Sequence, residues 1–385
     1  MRQARRSLRS SAYSQMRILQ IHSGVNLNGA VRYASLVSRL LALRGHEIVV
    51  LQRPDVDLGA VVPLPGNIEI QISSLRRLPG EVRRVAQLCR EKRIDVVHTH
   101  KSSAHAFGAL LRMFYGVPCV ATAHSLNYQL HWPVNDRVVC HNQESMRFMH
   151  NWNLVPWGKL RQVPAFVDEC YLAGPAEEPG ATRRRLGLEP GRKMLLTVGN
   201  VERRKGIADI VEALPTVLAA GIDAGLVIAG WFHSTGYRSE VEERARALGV
   251  EHRVIWLAGT SDRDVGHLLR AADLYVQASH VETGPLVVLE AMAHGLPVVG
   301  TTCGSMPDFI LPGVTGELVP VGKPQALGEA IVRVLADPER ARALGREGRR
   351  RFAAQFSAEV NIPKLEAILA EAAGRARARR RQAPR

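Results

Sequence analysis

The 385 residues exceed what one hydrophobic core usually spans, and 46% hydrophobic with 23% charged residues is the balance of a folded globular chain, so two domains are expected and a disordered or fibrous protein is excluded. The formal net charge of +15 is uneven: residues 1–17 carry five Arg and no acid, residues 371–385 six Arg and one Glu, so the ends hold most of the excess. Such tails attract any polyanion, but no aromatic interrupts the C-terminal arginine run and no nucleic-acid motif accompanies it, so no specific nucleic acid is expected as a partner. A solvated tail and a tether to an anionic membrane, worth ~1 kcal/mol per basic residue near the surface, are both open readings. No apolar run reaches the ~18 residues of a spanning helix, and residues 1–17 lack the apolar core of a signal peptide, which leaves peripheral contact as the membrane role. Cys89, Cys119, Cys140, Cys170 and Cys303 form no Cys-x-x-Cys pair, and their odd number suits a reducing compartment. The cytoplasm, including the inner face of its membrane, is the expected location.

Residues 1–16 read as a basic tail, with Met16 as an alternative start directly before the first apolar run. From there, short apolar runs alternate with amphipathic segments, the pattern of a parallel sheet with crossover helices. Ile18–Ile21 is the first expected strand. A loop from Gly24 to Gly29 leads into a helix with Ala34, Val37, Leu40 and Leu41 on one face, ended by Gly45. Strands follow at Glu47–Leu51, Val96–Thr99, Val117–Ala121 and Arg137–Cys140, with helices near 80–93 and 102–115. Residues 17–175 thus form one α/β domain. Residues 176–192, rich in Pro, Gly and charge without apolar periodicity, read as a linker. A second domain, 193–357, has strands at Met194–Val198, Leu226–Ala229, Val254–Leu257, Leu274–Gln277 and Pro297–Gly300, and residues 358–385 are left as a helix and Arg-rich tail. The fold class is α/β, two Rossmann-like doubly wound domains, with ligands expected beyond the carboxyl ends of the strands.

Four strand-end segments carry chemistry. Gly199-Asn200-Val201-Glu202-Arg203-Arg204-Lys205-Gly206 combines glycines, a helix N-terminus and cations, which together suit a diphosphate, although charged strand-to-helix loops also occur without one. In Glu282-Thr283-Gly284-Pro285-Leu286, Glu282 precedes a helix beginning near Pro285, and Glu290 lies about a turn and a half into it. An acid inside the apolar run Leu286–Ala293 is costly unless paired or used to bind, and a plain salt bridge is the alternative. His124 follows the strand Val117–Ala121. His98, His100 and His105, with His131 and His141 beyond, form a histidine-rich group in which His98 and His100 share one strand face; few carboxylates accompany them, so a polar strand end is favoured over a metal site.

The spacing Glu282-x7-Glu290 followed by Ala291-Met292-Ala293 and Gly295-Leu296-Pro297-Val298-Val299 is similar to the signature of the retaining glycosyltransferases of family four, which have the GT-B fold. Val198-Gly199 with Lys205-Gly206, Val227-Ile228-Ala229-Gly230, Leu257-Ala258-Gly259 and Gly313-Val314-Thr315-Gly316 fall in that family's order. In the first half Asn28-Gly29 resembles its paired-glycine loop, and Arg44-Gly45-His46-Glu47 the end of its first helix. The resemblance covers residues 17–355. It implies a nucleotide-diphosphate sugar of UDP or GDP type as donor, bound in an interdomain cleft, with no resident cofactor and no metal, and a glycan or lipid-linked acceptor. It further implies that Lys205 holds the diphosphate, Glu290 the ribose, Glu282 the transferred sugar, that Gly29 and the backbone of Gly284 and Leu286 add to phosphate binding, and that His124 reaches the sugar or phosphate. Asn200 stands where the family usually has Arg, so Arg203 or Arg204 is expected to supply that charge. Hexosyl transfer in cell-envelope polysaccharide, lipopolysaccharide or glycolipid synthesis is the expected function. A sugar-nucleotide epimerase, a phosphorylase, or a non-catalytic polyanion-binding protein are the alternatives. The basic segment Arg76, Arg77, Arg83, Arg84, Arg90, Lys92 and Arg93, beside the apolar run Leu110–Tyr115, reads either as a membrane-facing surface or as a solvated helix face.

Overall fold

The computed structural model describes residues 13–24, 29–54, 64–169, 177–232 and 235–382, without the side chains at 235, 262 and 376–382. Asn28, Cys170 and the N-terminal tail to residue 12 lie outside the described residues. The chain divides into two compact units, Met1–Phe166 together with Ala358–Arg385, and Val167–Ser357.

The first unit is built on a seven-stranded parallel sheet in the order β3-β2-β1-β4-β5-β6-β7. Its strands are β1 (Arg17–His22), β2 (Glu47–Gln52), β3 (Ile68–Ile72), β4 (Val96–His100), β5 (Cys119–Thr122), β6 (Arg137–Cys140) and β7 (Leu160–Gln162). β1 aligns Ile18 with Ile48 on one side and with Val96 on the other, so the strand order turns back between β1 and β4 and opens a crevice at their carboxyl ends. The central strands are buried along nearly their whole length, which explains why they read as continuous apolar runs rather than alternating ones. Leu19, Ile21, Val49, Leu51, Val97, Phe107 and Leu111 form the core on one face. The helix Gly29–Leu43 buries Val31, Ala34, Val37, Leu40 and Leu41.

The last helix of the chain, Ala358–Gln382, belongs to this first unit and packs on β4, β5 and the helix Gly29–Leu43. Its Glu366 is fully buried, accepting hydrogen bonds from Arg44 Nε (3.1 Å) and Nη2 (2.8 Å). His46 Nδ1 accepts from the Met16 backbone N–H (3.1 Å), which leaves Nε2 to donate to Glu366 (2.5 Å). About a turn and a half on, Glu371 binds Arg137 and Arg161, and the Arg137 hydrogen bonds hold its carboxyl down at about 2. Charge-assisted bonds across more than 300 residues of sequence thus tie the end of the chain to its beginning.

The second unit has a six-stranded parallel sheet in the order β10-β9-β8-β11-β12-β13, with β8 (Lys193–Val198), β9 (Ala224–Gly230), β10 (Val254–Ala258), β11 (Leu274–Gln277), β12 (Val298–Thr301) and β13 (Glu317–Val319). Both sheets therefore share the doubly wound order, and the fold class is the expected α/β pair of Rossmann-like units. Two strands start later than their apolar runs suggest. β5 begins at Cys119, beyond Pro118, and β12 at Val298, beyond Pro297, because proline has no N–H to give to a ladder. Within the segment read as a linker, Pro179–Arg185 is helical, capped by Glu178 accepting from Ala181 N–H (3.0 Å). Arg183 fastens it by donating to the carbonyls of Ala271 (2.9 Å) and Arg192 (3.1 Å) and by pairing with Asp273. Polar anchoring of this kind leaves no apolar period to read.

Candidate active site

In the second unit the carboxyl ends of β8 and β11 carry the charged residues picked out by sequence. After β8 the chain passes through Gly199 and makes a 3-10 turn, Arg203–Lys205, closed by Gly206 before the helix Ile207–Ala219 begins. Gly206 has φ +64°, and a Cβ there would overlap the carbonyl oxygen of Ala278, so only glycine lets this turn lie against the loop after β11. That apposition brings the Lys205 ammonium onto the Glu282 carboxylate, both side chains being largely buried.

The loop bearing Glu282 is held from below and from the side. Tyr275 donates to Gln277 Oε1 (2.7 Å), Gln277 Nε2 to Ser279 Oγ (2.6 Å), and Ser279 Oγ to Glu282 Oε1 (3.4 Å), a polar chain running up β11 to the carboxylate. From the end of β12, Thr301 Oγ1 donates to the Ser279 carbonyl (2.5 Å), and from the turn after it Ser305 Oγ donates to the Thr283 carbonyl (2.5 Å). Gly304, at φ +52°, lies where any Cβ would overlap the Glu282 carbonyl. Glu282 is thus fixed by two neighbouring strand-end loops, which is what a group meant to meet a ligand in one geometry requires.

Pro285 caps the helix Leu286–Ala293 with φ −72° and ψ 104°, so the helix starts one residue after the expected proline. Val288 N–H donates to the Pro285 carbonyl (3.1 Å), while the N–H groups of Leu286 and Val287 precede the first intrahelical bonds and carry the positive end of the helix dipole, a setting for an anion. Glu290 is 2% exposed on this helix, whereas Gly284 is half-buried. Tyr275, whose hydroxyl oxygen also lies 3.3 Å from the Val198 carbonyl oxygen, is pushed above its usual pKa by burial and by the nearby charges of Glu290 and Glu282, so both acids lie close to the end of β11.

The two arginines proposed as replacement cations differ in setting. The Arg203 guanidinium pairs with Glu240 and lies 5.3 Å over the Tyr237 ring, which turns it away toward the helix Thr235–Ala247. Arg204 Nε binds Glu202 (2.8 Å) and Nη1 lies 3.9 Å from Glu282, so Arg204 is the one that joins the Lys205–Glu282 pair. Asn200 Nδ2 donates to the other oxygen of Glu202 (2.9 Å), so a single carboxylate bridges Asn200 and Arg204.

In the first unit the histidine-rich group divides. His98 and His100 share one face of β4, with ring centroids 4.2 Å apart, and His100 meets His124. His105 instead bonds Thr99 on the opposite face (2.9 Å) and packs on Trp132. His131 also stacks on Trp132, apart from His98 and His100. His22, at the end of β1, joins the first group by stacking on His100, a neighbour no sequence motif announced. Among the described residues, no three His, Cys, Asp or Glu side chains converge so as to hold a metal. Gly29 opens its helix exposed, with free space where a side chain would be, while the preceding loop lies outside the described residues. In the basic segment, Arg84 pairs with Glu81 and Lys92 with Glu69, so part of its charge is locally balanced. Among the described residues no helix is long and apolar enough to cross a membrane.

A Rossmann-like unit with a lysine, two acids and a helix N-terminus at its strand ends has a setting that suits a phosphorylated ligand. The family described as Glycosyl transferases group 1 matches residues 180–351, and Glycosyltransferase Family 4 matches residues 27–169. A D-inositol 3-phosphate glycosyltransferase of Geodermatophilus obscurus is 30% identical over 96% of this chain and 92% of its own. One of the same description from Segniliparus rotundus is 30% identical over 66% of this chain and 62% of its own. Among solved structures, HepE from Anabaena in complex with UDP-glucose superposes with a TM-score of 0.80 at 19% identity, over 94% of this chain and 100% of that one. The chain belongs to the group 1 glycosyltransferases of family four, and its enzyme class is glycosyltransferase.

Proposed function

We propose that the protein transfers a sugar from a nucleotide-diphosphate sugar, of UDP or GDP type, to an acceptor hydroxyl with retention at the anomeric carbon. The observation that carries this is the Lys205–Glu282 pair, set by Gly206 and Gly304 between the ends of β8 and β11, beside the start of the helix Leu286–Ala293. In this reading Lys205, with Arg204, binds the diphosphate and offsets the charge that grows on it as the glycosidic bond breaks. A preorganised donor of that kind is typically worth ~3–4 kcal/mol in the transition state. The N–H groups of Gly284 and Leu286 add to the phosphate site, Pro285 between them having none to give. Glu282 accepts from hydroxyls of the transferred sugar and Glu290 from the ribose. Gly29 contributes to the phosphate site, and His124 contacts the sugar or the phosphate.

No carboxylate among these is assigned as a nucleophile, so the leaving phosphate itself serves as the base that takes the acceptor proton. The acceptor in this reading is a hydroxyl of a glycan or glycolipid of the cell envelope, and the D-inositol 3-phosphate glycosyltransferases among the relatives, whose names specify a phosphorylated polyol, add polyol phosphates as a second acceptor class to test. Incubating the full chain with UDP- and GDP-sugars, with and without polyol phosphates and glycolipids, tests it. Nucleotide diphosphate released only when an acceptor is present, with a product of the donor's anomeric configuration by NMR, is the expected outcome. Release without acceptor would favour an epimerase, and an inverted product would contradict transfer with retention.

A further inference from the structure

At the carboxyl ends of the first unit's strands a line of side chains links four neighbouring strands: Gln20 on β1, His100 on β4, His124 after β5 and His141 after β6. Gln20 Oε1 lies 3.2 Å from His100 Nε2, His100 Nδ1 lies 3.0 Å from His124 Nε2, and His124 Nδ1 lies 3.4 Å from His141 Nε2. His141 Nδ1 ends the line 3.0 Å from the Val163 backbone carbonyl. That terminus decides the rest. A carbonyl only accepts, so His141 Nδ1 carries a proton and, in a neutral ring, its Nε2 accepts. His124 must then donate from Nδ1 and accept at Nε2, which requires His100 to donate from Nδ1 and accept at its own Nε2. The last position needs a donor, and Gln20 supplies one only through its NH2.

An independent observation meets this requirement. With Gln20 Oε1 toward His100, the buried Gln20 Nε2 has no hydrogen-bond partner. A half-turn of the carboxamide, which exchanges two groups of equal size, gives His100 its donor and leaves the amide oxygen, in place of an N–H2 with both donors unmet, in the unpartnered position.

We infer that His100, His124 and His141 stand as neutral Nδ1–H tautomers in a one-way chain from the Gln20 amide to the Val163 carbonyl, and that His100 and His141 are positioning residues for His124. Neutrality has a physical cause: burial drives His141 down to about 4 and His100 and His124 well below the usual histidine range, with His22, His98 and His105 adding to the effect and Lys101 the charged neighbour of His124. The Tyr33 ring closes the group from the helix Gly29–Leu43, its centroid 5.3 Å from His124 and 5.1 Å from His141. Both ends of the chain are groups that do not titrate, so no proton passes along it. It clamps the plane of the His124 ring from two sides, and His124 is the partly exposed member of the line. The effect on turnover rests on the role proposed above for His124, whereas the tautomers do not.

The test labels the histidines of the full chain with 15N and records the ring nitrogens from about pH 5 to pH 8, with His100→Asn and His141→Asn used for assignment. The expected result is a pyrrole-like Nδ1 and a pyridine-like Nε2 at positions 100, 124 and 141, unchanged across that range and opposite to histidine in water. An Nε2–H tautomer at any of the three, or a titration near pH 6.5, overturns the chain. For positioning, His100→Asn keeps an N–H donor toward His124 and is expected to hold kcat within a few fold, while His100→Leu lowers kcat by ~10-fold or more with little change in the donor KM. Equal kcat in both variants overturns the positioning role. An inactive wild type with the expected nitrogen pattern counts against the proposed transfer reaction and leaves the chain standing.

Discussion

The two units share a strand order and differ in what stands at their strand ends. In the second, Lys205 and Glu282 meet as an ion pair with Arg204 close by, and glycines 206 and 304 let backbone approach backbone. In the first, the corresponding crevice is floored by uncharged rings: His22, His98, His100 and His141 are buried, and burial pushes His22 and His98 to about 3. The same scaffold thus supports a charged site suited to an anionic ligand and a neutral polar floor suited to hydroxyl groups. Fold alone would not distinguish them, and the difference lies in a few residues at the strand ends.

The comparison can be sharpened by perturbing one unit at a time. The largest single-residue effect on stability is expected from Glu366→Ala, which leaves Arg44 beside an empty place in the interior of the first unit. Breaking a buried, hydrogen-bonded pair from one side costs ~3–5 kcal/mol. Hydrogen exchange should show faster opening of β1, β4 and β5 with β8 and β9 unaffected, and equal changes in both sheets would mean that the units do not respond separately.

Acid should also separate the two units. His22, His98 and His141 have folded pKa values of about 3, 3 and 4, below the ordinary 6.5, so between those limits the unfolded chain binds protons that the folded chain refuses. Stability of the first unit therefore falls as pH drops below about 6.5 and continues to fall toward about 4. Exchange of its central strands at pH 7 and pH 5 measures this, and a first unit as stable at pH 5 as at pH 7 would contradict the neutral floor. The smallest effect is expected from Arg203→Ala. Its partner is Glu240 at the surface, so stability should change by less than ~1 kcal/mol and transfer by no more than a few fold, in contrast to Arg204→Ala.

Much of the architecture was legible because its signals are local. The apolar runs of β1, β4, β8 and β11 announce buried parallel strands, and Gly45, at φ +94°, marks the end of the first helix. β3, β7 and β13 were not foreseen. The first is an edge strand with two of its five residues polar and none fully buried, and the other two have three residues each, Leu160–Gln162 and Glu317–Val319. In the site, Lys205, Glu282 and Glu290 were legible because each stands out against its own segment. Ser279, Thr301 and Ser305, which hold the Glu282 loop, were not, since a hydroxyl that bonds a carbonyl 22 residues away leaves no local pattern. Gln20 and His22 were missed for the same reason. The histidines were visible as a group, but the division between His98–His100–His124 and His105 comes from the alternation of β4, which sends Thr99 and its partner to the other face.

Thermal stabilisation of the full chain by UDP, GDP, ADP and their sugar conjugates, run beside Lys205→Ala and Glu290→Gln, tests the donor site. A nucleotide that binds the folded chain at ~100 times its dissociation constant should add about 2.7 kcal/mol. One nucleotide is expected to raise the wild-type midpoint, and both variants to lose most of that rise, each read against its own ligand-free midpoint. A panel that leaves the wild type unmoved, or variants stabilised as much as the wild type, would contradict a donor site built on Lys205 and Glu290.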